Sequence, residues 1–113
     1  MKTKPLVRKP VPPGAIWFVS RHPGAVEWAV RQGFKIDRLI AHLEGSEVRP
    51  GDTVIGTLPV NLAAEICRCG ARYLNLSLDL PKSARGRELT ADELERFGAR
   101  LEPFLVERED MLA

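Results

Sequence analysis

The segment Ala15-Ile16-Trp17-Phe18-Val19 constrains the fold more than any other stretch of the chain. Five consecutive apolar residues, several β-branched or aromatic, leave neither face of a strand for water. That is the pattern of a strand buried on both sides in a parallel sheet. The run ends abruptly in Ser20-Arg21-His22-Pro23-Gly24. Pro23 suits a first helical turn, Val26, Ala29 and Val30 recur at helical spacing, and Gly33 supplies a stop. Residues 15–33 therefore read as strand, polar loop and helix.

The same grammar recurs downstream. A second strand is expected from Ile36 to Leu43, centred on Leu39-Ile40-Ala41, and Pro50-Gly51-Asp52 marks a turn. A third strand, Thr53-Val54-Ile55, runs through Gly56-Thr57-Leu58-Pro59 into a helix from about Val60 to Cys69. Leu62, Ala63 and Ile66 give that helix its apolar face. The fourth strand, Ala71 to Leu78, alternates, with Leu74, Leu76 and Leu78 on one side and Asn75, Ser77 and Asp79 on the other. A polar loop from Asp79 to Leu89 follows. Thr90 and Glu93 then have the spacing of a capping box, opening a helix with a stripe of Leu94, Phe97 and Leu101. Phe104-Leu105-Val106 is either a last strand or an extension of that helix, with Pro103 arguing for a break. The order β-α-β-β-α-β-α-β predicts an α/β fold: an open, mostly parallel sheet flanked by helices.

Composition narrows the class further. The 113 residues, 44% of them hydrophobic, suffice for one globular domain. No apolar run approaches the ~20 residues of a membrane-spanning helix, and the first residues lack the apolar core of a secretory signal. A cytoplasmic protein is expected. Lys2, Lys4, Arg8 and Lys9, with no acid among them, make residues 1–13 a basic, proline-rich arm, expected to be flexible; residues 14–113 form the single domain. The net charge is +2, and without the arm it is negative, so stable DNA binding is not expected. The arm is either a solubilising tail or a reach toward a polyanion. Cys67 and Cys69 lie two apart on a helix, point in different directions and make a poor disulfide. No cluster completes a zinc site, so neither metal nor cofactor is expected.

In open sheets of this kind ligands bind outside the carboxyl ends of the strands. Three loops should meet there: Ser20-Arg21-His22; Gly56-Thr57-Leu58-Pro59 followed by Asn61; and Asp79 to Arg87, with Lys82, Arg85 and Arg87. Together with the N-termini of the helices behind the first two loops, they offer the chemistry of a phosphate-bearing ligand. Asp79 is the only acid expected at that edge. His42, near the end of the second strand, is expected to be structural. No nucleotide-binding or hydrolase fingerprint is present.

Three blocks carry a resemblance: Phe18 to Trp28; Val54 to Glu65; and Tyr73 to Pro81 with Ala84 to Leu89. Their combination resembles the small type III CRISPR-associated family called Csx-sixteen, over about residues 15–106. The resemblance implies a Rossmann-like fold akin to the CARF sensor domains, a homodimer, and a ring nuclease that degrades cyclic oligoadenylate messengers, most often cyclic tetra-adenylate. Cleavage would use the ligand's own 2′-hydroxyl, without metal, and give linear di-adenylates. On that reading Arg21 and Arg85 would meet the scissile phosphate, His22 would act as general acid or base, and Ser20, Thr57 and Asn61 would position the ribose and phosphate. The competing readings are a sensor or sponge that binds the messenger without cutting it, and a protein whose arm docks on RNA or a CRISPR complex.

Overall fold

The structure, a computed structural model, describes residues 14–109. The basic arm, residues 1–13, lies outside the described residues. The elements are β1 (Ile16–Val19), α1 (Pro23–Arg31), β2 (Arg38–Ile40), β3 (Thr53–Gly56), α2 (Val60–Arg68), β4 (Arg72–Ser77), α3 (Ala91–Arg96) and β5 (Arg100–Phe104). The five strands form one sheet in the order β2-β1-β3-β4-β5. The first four are parallel, and β5 pairs antiparallel with β4. The α/β class and the expected element order are both present.

Alternation of side chains along the strands builds a core on each face. Trp17, Val54 and Tyr73 point to one side, where Ala63 and Ile66 of α2 cover them. Phe18, Ile55 and Leu74 point to the other, against Ala25, Trp28 and Ala29 of α1 and Leu94 of α3. Full burial of a large apolar side chain contributes about 1.5–3 kcal/mol, so β1, whose Trp17 and Phe18 are both below 2% exposed, anchors both layers. This explains the uninterrupted apolar run from Ala15 to Val19. The alternation of β4 is as read: Leu74, Leu76 and Leu78 join the α1–α3 face, while Asn75 and Ser77 lie on the α2 face.

Three readings of the sequence need correction. The second strand is only three residues long, Arg38–Ile40, so Ala41, His42 and Leu43 lie beyond its carboxyl end. α3 stops at Arg96; Phe97 caps it and Leu101 belongs to β5, not to a helical stripe. Pro103 sits inside β5 rather than breaking the chain before it, which an edge strand tolerates because one side of it has no ladder to donate to. The capping box is present: the Thr90 hydroxyl accepts from Glu93 N at 3.1 Å and the Glu93 carboxylate accepts from Thr90 N at 3.0 Å.

One buried charged residue ties the amino edge of the sheet. Asp52, 1% exposed, accepts from Ala15 N at 3.1 Å, from the Trp17 indole at 3.0 Å and from Arg49 N at 3.0 Å. What the sequence presents as part of a turn is a three-donor carboxylate that fixes the entry of β1 beside β3. Cys67 and Cys69 are free thiols. Among the described residues no helix is long and apolar enough to cross a membrane.

Candidate functional site

Strand order reverses between β1 and β3: the chain leaves β1 toward β2 on one side and leaves β3 toward β4 on the other. The helices that follow lie on opposite faces of the sheet, so the loops at the two carboxyl ends part and leave a crevice. A cavity of about 430 Å³ occupies that position. Its lining brings together Ser20, Arg21 and His22 from the loop after β1, His42 from the segment after β2, and Gly56, Thr57, Leu58 and Pro59 from the loop after β3.

Local geometry places each group. Ser20 does not cap α1; its hydroxyl accepts from His22 N at 3.0 Å and so tightens the loop that presents Arg21 and His22. His22 is the N-cap residue of α1 and Pro59 that of α2, and neither helix has a side-chain cap. Ala25 N and Leu62 N turn back to the carbonyls of His22 and Pro59, and Pro23 has no N–H, so the Gly24, Val60 and Asn61 amides are the ones left for solvent or an anion, with the positive dipole ends behind them. Gly56 has φ +157, and a Cβ there would sit 2.8 Å from the Val19 carbonyl oxygen. Glycine at this point lets the ends of β1 and β3 approach closely enough to form the cavity floor.

Thr57 does not cap α2 either; its hydroxyl donates to Leu76 O at 3.4 Å. The loop's main support comes from Tyr73. Its hydroxyl accepts from Leu58 N at 3.0 Å and donates to the Asn75 side chain at 2.5 Å, whose amide donates onward to Ser77 at 2.8 Å. Burial pushes the Tyr73 phenol up from its ordinary value of 10.0, so it stays a neutral donor at physiological pH.

The two histidines have different partners. Arg21 Nη2 lies 3.4 Å from His42 Nε2. His22 Nδ1 lies 3.5 Å from a carboxylate oxygen of Glu88. Glu88 was not among the acids expected here. It arrives because residues 89–90 press on the first turn of α1, where a Cβ on Gly24 would fall 2.1 Å from Leu89 O. The sequence does carry one signal, the third block ending Arg87-Glu88-Leu89, but not the direction in which it points.

The remaining expected residues lie elsewhere. Lys82, Arg85 and Arg87 are exposed and do not line the cavity; Arg87 pairs with Glu93 at 2.9 Å on α3. Asn61 faces a separate depression with Ala64, Glu65, Arg68 and Arg108. Asp79 pairs with Arg100 at 3.5 Å. The third loop thus reaches the site through Glu88 rather than through its basic residues.

One family model, described as "Putative CRISPR-associated protein (Cas_VVA1548)", matches residues 17–107, well over half of the chain. No curated protein and no solved structure matches.

Proposed function

The chain belongs to that family of CRISPR-associated proteins, and we propose that within it the chain acts as a ring nuclease of the Csx-sixteen type. Its ligand is a cyclic oligoadenylate, cyclic tetra-adenylate first. The observation that carries the reading is the crevice at the reversal of strand order, where an arginine, two histidines, two hydroxyls and two uncapped helix starts converge. This set suits a phosphodiester whose nucleophile is already in the ligand. The protein need only hold the 2′-hydroxyl in line with phosphorus, neutralise charge on the phosphate and carry protons. On this reading Arg21 takes the phosphate, and Ser20 and Thr57 position the sugar. A ring of four adenylates has near-twofold symmetry, so a homodimer with its axis through the ring would present one crevice to each half.

Purified protein incubated with cyclic tetra-adenylate in EDTA, with chromatography of the products, tests this. Multiple-turnover conversion to linear di-adenylates is the expected result. Intact ligand recovered from a tight complex would replace the nuclease with a sensor or sponge, and absence of both binding and cleavage would refute the ligand class.

A further inference from the structure

Two imidazoles share the cavity, and their neighbours are of opposite kinds. The guanidinium of Arg21 has donors and no acceptor, so across the 3.4 Å to His42 Nε2 a hydrogen bond forms only with the tautomer whose Nε2 keeps its lone pair. In that tautomer the ring hydrogen sits on Nδ1 and Nε2 is the nitrogen that can accept a proton. Glu88, by contrast, is an acceptor, 3.5 Å from Nδ1 of His22, so a hydrogen on that nitrogen points to a carboxylate. An imidazolium at His22 has a carboxylate to balance it, and Nε2 is left to deliver a proton. One imidazole of the site thus faces a donor and the other an acceptor, the arrangement that a general base and a general acid need.

We propose that His42 is the general base and His22 the general acid of the cleavage, with Glu88 as the residue that orients His22; this rests on the ring-nuclease reading above. When the phosphate draws Arg21 onto itself, the His42 lone pair is released. His42 takes the proton of the 2′-hydroxyl as the O2′–P bond forms. The P–O5′ bond breaks, and His22 gives its proton to O5′. The products are a 2′,3′-cyclic phosphate and a 5′-hydroxyl, and the two histidines end in exchanged protonation states that solvent resets. The step needs no co-reactant. It also gives His42, which the sequence alone presents as structural, a direct part in the chemistry.

The test compares cyclic tetra-adenylate with an analogue carrying bridging 5′-sulfur at its linkages, since a thiolate leaves without being protonated. His22→Ala and His42→Ala are both made; each side chain is exposed, so neither exchange should unfold the protein, and circular dichroism checks this. On the oxygen ligand both variants should be slowed by about 10²–10⁴-fold, the usual share of a general acid or base. On the sulfur ligand His22→Ala should return to within about tenfold of the unaltered protein while His42→Ala stays slow. Sulfur rescue of His42→Ala instead, or a normal rate for His42→Ala on the oxygen ligand, overturns the assignment and leaves the nuclease reading intact. Unaltered protein that cleaves neither ligand overturns the nuclease reading, and the assignment with it.

Discussion

Replacing Asp52 measures how much of the fold hangs on one carboxylate. In Asp52→Ala three donors lose their acceptor. The Arg49 amide is only partly buried and can turn to water. The Ala15 amide and the Trp17 indole cannot, since Ala15 is 0% and Trp17 1% exposed. A buried donor left without a partner costs about 1–3 kcal/mol, so two of them predict a loss of about 4 kcal/mol. Against a total of about 5–15 kcal/mol for a domain, that is a large fraction. Asp52→Asn should be milder. Its oxygen can keep the Trp17 and Arg49 donors, while its amide meets Ala15 N donor to donor, for a loss of about 2 kcal/mol. Urea unfolding followed by far-ultraviolet circular dichroism reads both, with the denaturant slope required to stay constant. An alanine variant within about 1 kcal/mol of the unaltered protein would show that the carboxylate network carries little net stability.

Two further outcomes follow from surface and loop contacts. Gly24→Ala lies in the first turn of α1, where the exchange ordinarily stabilises by about 0.5–1 kcal/mol; here the new methyl meets the Leu89 carbonyl, so a loss of about 1–3 kcal/mol is expected in the same unfolding assay, and a stabilised variant would contradict the close contact. The Asp92 carboxyl is held below its ordinary 3.8 by Arg31, and that of Glu93 below 4.5 by the Thr90 amide and Arg87. Both bind protons less readily folded than unfolded, so their contribution is present above those ordinary values and fades as pH falls through the lower folded ones. The urea midpoint should therefore drop on acidification from pH 5 toward pH 3, and less steeply in Asp92→Asn; parallel acid limbs would argue against the Arg31 pair.

Much of this architecture was legible because burial on both faces leaves an unmistakable apolar run, and because proline and glycine punctuate the helices. The crevice was legible for the same reason: once Val19 and Gly56 end their strands, the polar loops after them must fall at one edge. What escaped was pairing between distant segments. Nothing near His22 announces Glu88, 66 positions away, and the basic residues of the third loop gave no sign that Arg87 would turn to Glu93. Asp52 reads as turn chemistry because one donor, the Arg49 amide, is local, whereas the Ala15 and Trp17 donors lie 37 and 35 positions away, where a local pattern does not reach. Leu101 misled because Leu94, Phe97 and Leu101 fit a helical stripe as well as they fit a turn followed by a strand.

The contact between Gly24 and Leu89 has a consequence for how such chains can diverge. It pins only the last residues of the long connection from β4 to α3. Upstream, Lys82–Ala84 forms one helical turn that buries Ala84, and Arg87 is paired with Glu93, so the exposed side chains of Lys82, Ser83 and Arg85 are the ones that hold nothing in place. Substitution of those side chains leaves the acid beside His22 where it is, so relatives are free to differ in the charge of that connection while the buried Ala84 and the Leu89 contact are kept. The carboxylate keeps its station as long as a glycine faces the carbonyl that holds it.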